Sequence, residues 1–104
     1  AFAALLGDGS VVTWGIACYG GDSSQVQALL KNVRQLHATD FAFAALLKDG
    51  SVVTWGDAES GGDSHEVQEQ LREVQQIQAS SYVFAALLER GSVVTWGARP
   101  PGQA

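Results

Sequence analysis

Phe2, Phe43 and Phe84 stand 41 residues apart, and so do Trp14, Trp55 and Trp96. Residues 1–41 and 42–82 align without a gap and agree at more than half of their positions. Residues 83–97 repeat the block Ala42–Gly56 with changes only at Val83, Glu89 and Arg90. Two full units and a partial third therefore fill residues 1–97, and residues 98–104 form a tail outside the repeat. A fixed period of this size belongs to stacked units, each of which contacts its neighbours and cannot bury its own apolar faces alone. The period also accounts for the 12 glycines, which are turn and connector positions copied from unit to unit.

Composition narrows the function classes. The chain is 46% hydrophobic and 16% charged, too apolar for a disordered acidic tail. A net charge of −5 excludes a nucleic-acid binder of the basic-patch kind. Apolar runs such as Ala1–Leu6 fall far short of the ~20 residues that a membrane-spanning helix needs. The single cysteine, Cys18, cannot make an internal disulfide, so the redox compartment stays open.

The repeated block reads as a hairpin, with Phe43–Leu47 and Ser51–Gly56 flanking Lys48-Asp49-Gly50. The three turns carry Gly7-Asp8-Gly9, Lys48-Asp49-Gly50 and Glu89-Arg90-Gly91, so only Gly9, Gly50 and Gly91 are common to all. A type I′ turn needs positive φ at two positions, which suits Arg90 badly; a type I turn with a left-handed bulge glycine needs only the shared one. In the first strand Phe43, Ala45 and Leu47 share one face and Ala44 and Leu46 the other. In the second, Val53 and Trp55 oppose Val52 and Thr54. Both faces are largely apolar, as in a sheet covered on both sides, and this predicts sheets stacked face to face.

The connector opens Gly20-Gly21-Asp22-Ser23 and recurs as Gly61-Gly62-Asp63-Ser64. Val67, Leu71 and Val74 then fall at i, i+4 and i+7, which predicts a short amphipathic helix capped by Asp63 or Ser64, with Glu66 near its positive end. Val33–Ala38, matched by Val74–Ala79, predicts a third strand, although helix and strand compete over Val74–Ile77.

Val74, Ile77 and Ala79, then Phe84–Leu88, and Asp49–Val53 with Trp55-Gly56 resemble a blade of the regulator of chromosome condensation family. The similarity covers nearly all of residues 1–97, and the wording also resembles tandem repeats of algal proteins. That family forms closed β-propellers, and a propeller β-lactamase inhibitor is similar to it. The resemblance therefore implies an all-β fold of propeller-blade-like hairpins. The family's Gly-Gln-Leu-Gly at the blade end is absent, replaced by Gly61-Gly62-Asp63-Ser64 and the expected helix, which puts a regular fourth strand in doubt. Propellers close with roughly 4–8 blades, whereas two and a half units leave an open or incomplete one with bare edges that invite pairing. The start at Ala1 falls inside a strand and reads as a cut, while Pro100 and Pro101 end the strand pattern. A fragment of a longer propeller, an open stack covered by partners and a self-assembling oligomer all fit.

Candidates for chemistry are few. His37 matches Gln78 and His65 matches Ser24, so neither belongs to the repeated framework. Asp63, Ser64 and His65 imitate a hydrolytic triad in composition, but one short turn does not give a triad its separated geometry. Cys18 has no basic neighbour and reads as an inert thiol. The Gly-Gly-Asp-Ser loops lack the Lys-Ser/Thr of a phosphate loop, and they recur too far apart for a calcium β-roll. No metal, cofactor or catalytic site is expected, and the chain is read as not an enzyme.

Trp14, Trp55 and Trp96 occupy one fixed place in the unit and are read as framework packing between units, with an exposed binding face as the alternative. The clearest departure from the framework is charge. Asp57, Glu59, Asp63, Glu66, Glu69 and Glu73 face only Arg72 in the second connector, whereas the first has only Asp22 and Lys31. Glu69 and Glu73 repel at i, i+4, so helix stability does not account for them. Asp57, Glu59, Glu66, Glu69 and Glu73 are candidates for contact with a basic partner, against the simpler reading of a solvated face. The expected role is a non-catalytic scaffold or accessory subunit, its open faces covered by protein partners or further copies of the repeat. The alternatives are an accessory subunit of a plastid photosynthetic complex and, from the family resemblance, nucleotide exchange on a small GTPase.

Overall fold

The computed structural model describes residues 1–97; the tail 98–104 lies outside the described residues. The chain is all-β. Strands β1 (Phe2–Leu5) and β2 (Val11–Trp14) form a two-stranded sheet. Strands β3 (Val33–Ala38), β4 (Ala42–Leu47) and β5 (Val52–Gly56) form a second sheet, and β6 (Val74–Ala79), β7 (Val83–Leu88) and β8 (Val93–Gly97) a third. Each is an antiparallel meander in chain order, and none closes on itself. The third strand lies where the sequence predicts it, over Val33–Ala38 and Val74–Ala79, and pairs with the hairpin that follows it.

The hairpin turns are of type I with a bulge glycine. Gly9, Gly50 and Gly91 have φ of 85°, 86° and 91°. Their N–H groups donate to Leu6, Leu47 and Leu88 at 3.0, 3.0 and 2.9 Å. Glycine alone takes this conformation without cost, which is why it survives in all three copies while its neighbours vary. The Asp-Gly-Ser wording has its own reason: Asp8 Oδ1 accepts from the N–H and hydroxyl of Ser10, and Asp49 accepts likewise from Ser51. Those bonds favour the charged form and hold both carboxyls below their ordinary range.

The sheets stack face to face. Each has a leading face, toward the preceding sheet, and a trailing face, toward the next. The trailing face of the second sheet (Ala42, Ala44, Leu46, Val52) packs on the leading face of the third (Ile77, Phe84, Ala86, Leu88, Val94, Trp96). The first sheet's Val11 and Ala3 pack in the same way on Phe43, Ala45, Val53 and Trp55. The small alanines let the sheets approach, and β4 is consequently buried along Ala42–Leu46 on both faces.

The connectors differ from expectation. In place of a short helix, each makes two isolated 3-10 turns, Ala17–Tyr19 and Gln27–Leu29 in the first and Ala58–Ser60 and Gln68–Gln70 in the second. Leu30 and Leu71, each 1% exposed, plug the gap between sheets. Val74 does not extend a helical stripe; it opens β6, because Glu73 at φ 55° reverses the chain just before it, as Asn32 does at φ 56°. The expected caps are also absent. Asp63 accepts the His65 N–H at 3.0 Å in a local side-chain turn, and Ser64 joins a network with Thr54 and Gln68 at 2.9 and 2.8 Å. Gln68 donates onward to the Val52 carbonyl and ties the connector to its own hairpin. The first connector repeats this network through Thr13, Ser23, Gln27 and Val11.

Candidate interaction surfaces

The Gly-Gly of each connector is a receptor for the following unit. Gly20 (φ 103°) lies under the Phe43 ring, so a methyl there would overlap the ring, and its carbonyl accepts the Trp55 indole N–H at 3.1 Å. Gly61 (φ 101°) stands in the same relation to Phe84, and its carbonyl accepts from Trp96 at 3.1 Å. Gly21 and Gly62 pass so close to the Gly15 and Gly56 carbonyls that neither has room for a side chain. Phe43 stacks on Trp55 with centroids 5.5 Å apart, and Phe84 on Trp96 at 5.4 Å. At Trp55 and Trp96 each indole has its polar atom satisfied and its rings covered.

Trp14 differs. It stacks on Phe2 at 5.8 Å, as its counterparts do, yet Trp14 is 51% and Phe2 66% exposed. Val12 and Leu6 beside them are also exposed, so the leading face of the first sheet is an apolar surface without a neighbour among the described residues. At the other end, the trailing face of the third sheet carries Ala85, Leu87, Val93 and Thr95, the counterparts of Ala44, Leu46, Val52 and Thr54. Val93 is 61% exposed there, against 2% for Val52. A shallow depression of about 230 Å³ lies over Gln76, Gln78, Ala85, Leu87 and Val93.

The acidic connector resolves into separate parts. Glu59, Asp63 and Glu66 line one groove of about 580 Å³ with His65, Thr95 and Trp96. The twin groove in the preceding unit, about 430 Å³, has Cys18, Asp22 and Gln25 at the corresponding places. Its Asp22 is held below the ordinary carboxyl range by hydrogen bonds from Ser24. Asp57 accepts the Ser60 hydroxyl at 2.8 Å, Glu69 sits on the exposed turn Gln68–Gln70, and Glu73 takes the left-handed backbone position. Of the five acids singled out in the sequence, only Glu59 and Glu66 share the groove, joined by Asp63. The pairs Cys18/Glu59 and Gln25/Glu66 were the available signal: the repeat alignment shows where acids replace neutral residues, but only the doubling back of the connector puts them in one groove.

The remaining candidates stand apart. His65 Nδ1 lies 3.7 Å from Asp63 in an exposed pair, while the Ser64 hydroxyl is turned inward to Thr54 and Gln68. His37 is half-buried on β3, bonded to Gln35 at 3.0 Å, and desolvation lowers its pKa. Cys18 is exposed with a free thiol. Among the described residues, no three His, Cys, Asp or Glu side chains converge to hold a metal, and no helix is long and apolar enough to cross a membrane. No protein-family model matches the chain, and no curated protein matches it.

Proposed function

We propose that the chain is a non-catalytic interaction module, a scaffold or accessory subunit built from propeller-blade-like units, whose end faces dock onto protein. One observation carries this reading: the Phe2–Trp14 pair has the same residues and stacking as the two buried pairs but is half in water. Exposed apolar surface of this sort, concentrated on one face around an aromatic pair, is characteristic of interaction sites. The resemblance to the regulator of chromosome condensation family supports the blade-like reading of the units. The test is the native particle. It should sediment heavier than a single chain, and Trp14→Ala should release the chain from it. Native protein that sediments as one unattached chain would overturn the reading.

A second observation favours a basic segment as part of what the module binds. Glu59, Asp63 and Glu66 converge on one groove with no Lys or Arg in its lining among the described residues. Glu59→Lys with Glu66→Lys should weaken partner binding most at low salt, whereas Glu69→Lys, outside the groove, should not. Equal loss from all three would mean that overall charge matters and the groove does not.

A further inference from the structure

Among the described residues the same sheet-to-sheet contact occurs twice, and the outer faces of the first and third sheets each carry one half of it. The leading half consists of Phe43, Ala45, Leu47, Val53 and Trp55 in the second sheet, and of Phe84, Ala86, Leu88, Val94 and Trp96 in the third. The first sheet presents the matching set, Phe2, Ala4, Leu6, Val12 and Trp14, to solvent. The trailing half, seen covered at Ala44, Leu46 and Val52, is half-buried at Ala85 and Leu87 and exposed at Val93 among the described residues. We infer that a second copy of this chain docks head to tail, the leading face of its first sheet on the trailing face of the third. This rests on the interaction-module reading and names the partner.

The internal contacts show what such a docking can use. Alanines on the facing strands allow close approach, and each buried Phe–Trp pair lies against the connector glycine of the preceding unit. The contact between copies is poorer in one respect. The internal tryptophans donate to Gly20 and Gly61 on connectors, and no connector follows β8 among the described residues. The proposed docking uses the sheet faces, and its extent depends on concentration. Because the two patches differ, the contact repeats: copies either close a ring or extend a filament. The described residues of two copies bring six sheets, inside the range of about 4–8 at which radial stacks close.

The test is sedimentation of the purified full chain from about 1 μM to about 1 mM, the range of weak association. The mass should rise with concentration. Val12→Lys on the leading face and Val93→Lys on the trailing face should each leave a monomer at every concentration. An equal mixture of the two should form a heterodimer and nothing larger, because one intact head meets one intact tail. Both positions are exposed, at 49% and 61%, so urea midpoints at low concentration should match the parent. Phe2→Lys serves in place of Val12→Lys if that midpoint falls. A parent chain that stays monomeric throughout overturns the inference. So does a Val93→Lys chain that still dimerises, since that contact would be head to head. If the purified chain stays monomeric while the native particle is heavy and holds only other proteins, the second copy is wrong and the interaction module stands.

Discussion

The first hairpin and the two that follow share a sequence and differ in environment. Phe-Ala-Ala-Leu-Leu and Ser-Val-Val-Thr-Trp-Gly occur in all three, with the same antiparallel pairing and the same turn. Yet Trp55 and Trp96 are 5% and 7% exposed and Trp14 is 51%. Local sequence makes the hairpin; the neighbour makes the core. The difference sets a gradient along the stack, because among the described residues the second sheet is covered on both faces and the first and third on one. In such one-dimensional arrays stability is close to a sum of unit and interface contributions.

The comparison is broken most directly by removing the indoles. Trp55→Ala and Trp96→Ala should each cost ~3–5 kcal/mol in urea unfolding, since each leaves a cavity between sheets. They also strand the Gly20 or Gly61 carbonyl without its donor. Trp14→Ala should cost less than about 1 kcal/mol in dilute solution, where it loses little beyond the contact with Phe2. A Trp14→Ala cost equal to the others would mean that the first sheet is covered in solution, and repeating the measurement at several concentrations would show whether another copy covers it.

The glycines sharpen the same contrast. Gly61→Ala should cost about 3 kcal/mol or more, because a methyl meets the Phe84 ring and the left-handed backbone adds strain. Gly91→Ala has open space and only the strain of φ 91°, so ~1–2 kcal/mol is expected. Gly7→Ala, with neither obstacle, should fall within about 0.5 kcal/mol of the parent. Thermal or urea midpoints of the three variants give the order. If Gly91→Ala matched Gly61→Ala, backbone strain would be the cause and the seat for the next unit's ring would not.

Those two kinds of glycine also show how far the sequence could be read. The turn glycine was legible because three copies varied around it, and the third strand because its six residues recur with the hairpin it pairs with. The stacking direction followed from strands that are apolar on both faces. The connector was misread for a physical reason. Val67 and Leu71 are single plugs beneath a loop, and Val74 belongs to a strand, so their i, i+4, i+7 spacing only imitates a helix. The warning lay in the alignment, where Glu73 matches Asn32, a residue that tolerates the left-handed conformation. The groove lined by Glu59, Asp63 and Glu66 was not legible, because it exists only after the connector folds back over Thr95 and Trp96.

That Glu73–Asn32 difference is itself testable. Glu73→Asn should stabilise the chain by a few tenths to about 1 kcal/mol, by relieving a left-handed backbone that a longer side chain resists. Asn32→Glu should cost a similar amount. If Glu73→Asn lowered stability instead, the Glu73 side chain would have a role in the folded chain beyond its place in the backbone.

The smallest effect concerns His37, half-buried on the second sheet, where the third sheet's counterpart is the exposed Gln78. Desolvation lowers the His37 pKa from its ordinary 6.5, so the folded state prefers the neutral ring. Between the lowered value and 6.5 the unfolded chain binds the proton more tightly than the folded one. The contribution to stability is therefore complete above about pH 6.5, erodes as the pH falls below it, and stops changing below the folded value. His37→Gln, which copies the residue of the next unit, should flatten urea midpoints across this window and leave them alone above it. The exposed carboxyls of Asp8, Asp22 and Asp49 act in a separate window, since their pKa values are lowered from 3.8 and their contribution is lost only as the pH falls below that. A slope below pH 6.5 that survives His37→Gln would assign the effect elsewhere.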